Sequence, residues 1–224
     1  MISTGNDIIA LKSTDPRRTL QEKFWAKILS YTERELYDQG AYSYMPFENF
    51  VWLLWSVKES VYKYQNRKDP DLLFSPGKII IQNIDFPEDS KVTQFGIVQF
   101  EHNSFPDNGF FSCTVYFDTK IYYSRSKIYE DLIVTVSGTD ESFDDTWWGV
   151  KFIGHTGYEG QSEAVRSFVL NKLNSIFPGD DLSIKKSKIG YPVLFKGSQE
   201  MNIPLSFSHH GNFVAYSFVS CNVN

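Results

Sequence analysis

The spacing of apolar residues changes period along the chain and divides it into helical and extended blocks. Ile2 to Leu11 is β-rich and closes at a polar turn, which predicts a first strand carrying Gly5-Asn6-Asp7. Pro16 to Gln39 has helical spacing through Leu20, Phe24, Ile28 and Leu29. Thr32 with Glu35 three residues on reads as a capping box, and the stretch predicts two helices that meet near Ser30. From Pro46 to Gln65 apolar residues cover most of a helix surface, so this helix is expected to be deeply packed. The polar residues it carries, Lys58, Glu59 and Lys63, then need a reason to be there.

Beyond Gly77 the pattern becomes a series of short β-rich runs, KIIIQNI, GIVQF, FFSCTVYF and DLIVTVSG, separated by Asp, Asn, Pro and Gly. An antiparallel meander is expected there. After the acidic loop DESFDD, the segment Ser162 to Phe177 predicts an amphipathic helix with Ala164, Phe168, Leu170 and Leu173 inward. Strands follow around SIKKSK, YPVLF, PLSFSH and NFVAYSFV. Offset by 82 residues, Ile121-x-x-Ser124-x-Ser126-Lys127 aligns with Ile203-x-x-Ser206-x-Ser208-His209, and Leu132 to Val136 with Val214 to Phe218. Chance similarity between two strand-turn-strand units and true duplication both account for the match. The order of elements favours an α+β fold of two pseudo-twofold-related halves with antiparallel sheets, divided as 1–138 and 139–224, or one compact domain.

At 224 residues and 42% hydrophobic content the chain is long enough to bury a core, and its 17% aromatic content suits sheet faces. No cationic start followed by a long apolar run marks a secretory leader, and no run of about 18 apolar residues marks a membrane span. A cytoplasmic protein is expected. Cys113 and Cys221 lack the spacing of a zinc site or disulfide framework and read as buried thiols. The net charge of -5 disfavours nucleic acid or anionic membrane as a partner. Two local basic clusters, Lys185/Lys186/Lys188 and Arg17/Arg18/Lys23/Lys27, are read as solvated surface unless a motif lies beside them.

Candidate chemistry gathers at three places. Trp55, Glu59 and Lys63 are spaced i, i+4, i+8 and stack along one helix face. On a surface that is an ordinary ion pair; on so apolar a helix it also suits a cleft holding charged ligands. Asp7, two residues after Gly5, is either an Asx turn or a carboxylate brought close to a ligand. An Asp, a Glu and a lysine together suit a Mg²⁺-bound diphosphate, because Mg²⁺ takes one or two protein carboxylates and leaves its other positions to water and phosphate. The third place is LSFSHHGN, with Ser206, Ser208, His209 and His210. No G-x-S-x-G elbow makes it a hydrolase, while hydroxyls and an imidazole at a strand end can donate to phosphate oxygens.

TGNDIIAL, WSVKESVYK, IGYPVL and PLSFSHHGNFVAYSF together resemble the signature segments of the 4′-phosphopantetheinyl transferase superfamily: a G-x-D strand, a W-[ST]-x-K-E-[AS]-x-x-K helix and a G-x-P…S-x-S-H segment. The resemblance implies that fold, and a Mg²⁺-dependent transfer of the phosphopantetheine arm of coenzyme A to a serine of an acyl or peptidyl carrier protein. It implies Asp7 and Glu59 as metal ligands, Glu59 as general base and Lys63 as a charge facing the diphosphate. Lys58, Arg166, Lys188, Ser208 and His209 would contact coenzyme A.

Three departures accompany the resemblance. The second acid that two-halved, surfactin-type members carry is Ile9 here, as in the shorter holo-acyl-carrier-protein-synthase type. The basic residue of G-[KR]-P is Tyr191. The Ser-His segment also follows the lysine helix instead of preceding G-x-D, so the halves read as joined in reversed order. Both walls of one cleft would then lie in one chain, active as a monomer, with docking of an acidic carrier expected on the Arg17 to Lys27 helix. A non-catalytic coenzyme A or nucleotide-binding module of the same fold is the alternative that Ile9 keeps open.

Overall fold

The computed structural model describes residues 3–40, 44–87, 99–105, 109–154 and 157–220. Ile2, Cys221 and the Gly96 to Val98 part of the GIVQF run lie outside them. Five helices are described: α1 (Pro16–Thr19), α2 (Glu22–Trp25), α3 (Tyr31–Gln39), α4 (Phe47–Asn66) and α5 (Tyr158–Ile176). The strands are β1 (Gly5–Ala10), β2 (Ile80–Asp85), β3 (Gln99–Asn103), β4 (Phe111–Phe117), β5 (Lys120–Tyr129), β6 (Leu132–Gly138), β7 (Thr146–Phe152), β8 (Leu182–Lys186), β9 (Pro192–Lys196), β10 (Gln199–His210) and β11 (Phe213–Val219). None of the described helices is long and apolar enough to cross a membrane.

The strands form two antiparallel sheets, one ordered β1-β6-β5-β4-β2 and one ordered β3-β7-β11-β10-β9-β8. Past the added edge strand β3, the two orders are the same. Each half opens with a strand, crosses a long helix and returns through four strands, the last of which pairs with the first. The fold is therefore α+β with a repeated unit. Hydrophobic side chains fill three layers: α4 packs on the first sheet around Val57, Val61 and Ile133, α5 packs on the second around Phe168, Val169 and Leu205, and Ile8, Val134, Trp148 and Ala215 lie between the sheets. That shared middle layer, and β3 reaching across to pair with β7, join the halves into one body.

The repeat is offset differently from the sequence match. Both hairpins close on two-residue loops, Tyr129 opposite Leu132 and His210 opposite Phe213, so the units correspond at 81 residues rather than 82. A one-residue slip moves every side chain to the other face of a strand. Ser124 and Ser126 alternate with Tyr122 on the α4 side of the first sheet, whereas Ser206 and Ser208 bond to β1 from the other face of theirs. The matched serines are coincidental, while the topology they pointed to is present.

Local sequence explains the elements that carry the candidate site. β1 is buried along its whole length, odd positions against α4 and even positions against the second sheet. At Gly5 the strand meets the helix backbone: a Cβ there would lie 1.9 Å from the Ser60 carbonyl oxygen. This approach, open only to glycine, sets Asp7 beside the same helix. The expected pair of helices over 16–39 is instead the two short turns α1 and α2 followed by α3. The capping box belongs to Ser30 and Glu33, two residues earlier than Thr32 and Glu35. β7, which follows the acidic loop, carries no alternation because both its faces are covered, and hydrophobic period alone does not distinguish it.

Candidate active site

Asp7 and the exposed edge of α4 meet at the C-terminal end of the helix. The Lys63 ammonium donates to Asp7 Oδ1 at 2.9 Å and lies 3.3 Å from Glu59 Oε1. Trp55, one turn before Glu59, donates its indole N–H to Glu59 Oε2 at 2.8 Å and holds that carboxylate in place. Asp7 Oδ2 is buried without a hydrogen-bond partner. Burial pushes the Asp7 carboxyl up to about 7, Lys63 pulling it down and Glu59 adding to the rise. Burial disfavours the Lys63 ammonium, but Asp7 and Glu59 outweigh it and hold its pKa above the ordinary range. A cation thus already bridges two carboxylates at this point.

From that bridge a cleft of about 340 Å³ runs between the halves. Its walls are the end of α4, the start of α5, the β8–β9 connection and β10, and they present Lys63, Arg67, Arg166, Lys186 and His209. No carboxylate is among the described lining residues, so the wall is a concentrated positive field suited to a polyanion. His209 is exposed, and its ring meets that of Tyr158 edge to face at 5.7 Å. Desolvation lowers its pKa, the Lys63 charge acts in the same direction and Glu59 opposes both.

The residues singled out from the sequence separate into two groups. Lys63, Arg166 and His209 line the cleft, and Asp7 and Glu59 join it through their ion pairs with Lys63. Lys58, Ser208 and Lys188 do not. Lys58 is fully buried on another face of α4, where its ammonium donates to the Ile28 carbonyl at 2.5 Å and to Glu33 Oε2 at 2.8 Å. Adjacent helix positions do not share a face, which separates Lys58 from Glu59. Ser208 Oγ accepts from Asn6 Nδ2 at 2.9 Å and ties β10 to β1. His210, which carried no role, does the same through Nδ1, accepting from the Ala10 N–H at 2.8 Å. Lys188 is exposed, and Lys186 takes the place in the wall that it was expected to fill.

Arg67 also lines the cleft and lies outside the sequence motifs, although it continues the Trp55, Glu59, Lys63 spacing by one more turn.

Glu33 makes the Lys58 result testable. Both its oxygens are used, by the Ser30 and Ile81 N–H groups as well as by Lys58, and the side chain is wholly buried. Removing one partner of a buried ion pair leaves an uncompensated charge, so Lys58→Met is expected to cost about 3–5 kcal/mol. Thermal unfolding followed by circular dichroism should show a midpoint lower by roughly 10 °C; an unchanged midpoint would contradict the structural role.

Residues 3–112 match the model of the family described as the 4′-phosphopantetheinyl transferase superfamily. The chain belongs to that superfamily. No curated protein and no solved structure matches it significantly. The matched segment carries Asp7, Trp55, Glu59 and Lys63, whereas Arg166, Lys186 and His209 lie beyond it. At the position that corresponds to Asp7 in the second half, across the strand pair from Tyr216, the transferase has Gly149. A side chain there would run into Tyr216 and Phe168, so the repeat does not carry a second acid at that position.

Ile9, at the place of the second acid of surfactin-type members, points into the α4 core. Among the described residues no group of three or more His, Cys, Asp or Glu side chains is placed to hold a metal. Asp7 and Glu59 are a two-carboxylate set, and Asp7 offers a buried oxygen with no other partner. Such a set fits Mg²⁺, which fills its remaining positions with water and phosphate.

Proposed function

We propose that the protein, acting as a cytoplasmic monomer, transfers the 4′-phosphopantetheine group of coenzyme A to a serine of an acyl or peptidyl carrier protein, with Mg²⁺, releasing 3′,5′-ADP. The observation that supports this reading is the junction, at Lys63, of an acid pair with a cleft walled by five basic side chains. Both walls come from one chain, which supports activity without a partner subunit.

The reaction divides among these residues by charge. The basic wall binds the nucleotide and orients its diphosphate toward Asp7 and Glu59. Glu59, steadied by Trp55 and partly open to solvent, takes the proton from the carrier serine, directly or through water. The serine oxygen forms a bond to the phosphorus bearing the pantetheine arm, the bridging P–O bond breaks, and the electron pair leaves with 3′,5′-ADP. Lys63 faces the charge that develops on the diphosphate, an electrostatic contribution of the kind that dominates phosphoryl transfer. Asp7 and Glu59 would hold Mg²⁺, which supplies charge neutralisation on the same diphosphate.

Incubating the protein with coenzyme A and a panel of apo carrier proteins, and following 3′,5′-ADP by chromatography, tests the reading. Release that requires both Mg²⁺ and a carrier is expected. Coenzyme A binding without release for any carrier would instead support the non-catalytic module that the buried Ile9 suggests.

A further inference from the structure

Arg67 is a cation set into the cleft wall with no ion-pair partner among the described residues. It continues the helical geometry of α4, with φ -62° and ψ -30°, one turn beyond Lys63. Its Nη1 donates to the Leu205 carbonyl at 2.8 Å, and the guanidinium carbon sits 4.5 Å from the centroid of the Tyr191 ring. Among the described residues no carboxylate pairs with it. Burial lowers its pKa, Tyr191 and Glu200 only partly opposing the effect. A half-buried guanidinium stays charged and is stabilised by an anion; with one N–H spent on Leu205, the remaining donors can fork onto a phosphate.

Two features say which phosphate. Arg67 stands four positions after Lys63, about 6 Å along the axis, so the two cations can serve different parts of one ligand. Lys63 belongs to the acid pair and hence to the diphosphate. Arg67 lines the same cleft away from that pair, together with Arg166 on α5, whose Nη1 is bonded, among the described residues, to the Ser162 carbonyl and hydroxyl. Tyr191 stands where the G-[KR]-P pattern has a basic residue; its ring brings no charge but holds one that arrives from α4.

We propose that Arg67, clamped by Tyr191 and flanked by Arg166, is the specificity determinant that makes this cleft select a nucleotide bearing a second, ribose-borne phosphate in addition to its diphosphate. The proposal rests on the coenzyme A reading above and names the group that distinguishes that donor from its dephosphorylated form.

Calorimetric binding of 3′,5′-ADP and of 5′-ADP to the wild-type protein, R67M, R67K and Y191A provides the test. The wild-type protein is expected to prefer 3′,5′-ADP, and R67M to lose about tenfold or more of that preference, the scale of one charge-assisted hydrogen bond, while its affinity for 5′-ADP changes little. R67K, which keeps the charge and stem, and Y191A, which removes only the clamp, should fall between, and either serves if R67M does not fold. A merely structural brace on Leu205 would weaken both nucleotides equally, and an unchanged preference in R67M, or in R67K and Y191A together, overturns the proposal alone. Wild-type protein that binds neither nucleotide overturns the coenzyme A reading as well.

Discussion

Replacing Glu59 with glutamine is expected to reduce the turnover of transfer by about 10²–10⁴-fold, the range for losing a positioned general base, while binding of coenzyme A falls far less. The expectation follows from how Glu59 is held. One oxygen accepts the Trp55 indole N–H, which a glutamine carbonyl can also accept, and the other lies beside Lys63. The substitution therefore keeps shape and orientation and removes charge and basicity. In the proposed function the nucleotide would be held by Arg67, Arg166, Lys186 and His209 on the cleft walls, which the substitution does not touch. Steady-state kinetics with coenzyme A varied should show the loss in kcat rather than KM; near-normal kcat would remove Glu59 from its assigned role.

Asp7→Asn should separate stability from activity. The Asp7 carboxyl is raised in the fold to about 7, burial being the main cause. The folded state then holds this proton more tightly than the unfolded state does. Its contribution is favourable below the unfolded value of 3.8 and becomes increasingly unfavourable as pH rises from there to about 7, above which the cost is constant. Asparagine removes that cost and leaves Lys63 its Glu59 partner. Denaturant unfolding is expected to show the variant gaining stability relative to the wild-type protein between pH 5 and pH 8. Transfer should fall by at least about 10²-fold, because the buried Oδ2 and its charge are gone. In the wild-type protein a proton and Mg²⁺ compete for Asp7, so Mg²⁺ affinity should rise through about pH 7. A variant that is less stable at pH 8, or that transfers normally, would contradict this account.

How much of this was readable from the chain depends on which periodicity each residue obeys. Gly5, Asp7, Glu59 and Lys63 were legible because a strand position after a glycine and a helical i, i+4 repeat are local patterns, and their juxtaposition needs only one strand lying on one helix. Lys58 is next to Glu59 in sequence, yet a one-residue step turns it about 100° around the helix. Ser208 and His209 are likewise adjacent, and neighbours on a strand point to opposite faces. The repeat was sensed through serines that are not equivalent, since strand order and hairpin closure, not residue identity, carry the duplication. Arg67 continues the α4 repeat, whereas Lys186 is only a charged residue in the sequence; their common wall exists because α4 and β8, far apart in the chain, border the same cleft.

The central claim is that the Asp7–Glu59–Lys63 cluster and the basic cleft form one transferase site. Intact-mass analysis of apo carrier proteins incubated with this protein and coenzyme A, with Mg²⁺ or with a chelator, tests it most directly. The account predicts that the carrier serine gains one phosphopantetheine group only when Mg²⁺ is present, and gains almost none with Glu59→Gln. Modification that proceeds equally with the chelator or with Glu59→Gln, or no modification of any carrier by a protein that binds coenzyme A, would contradict it.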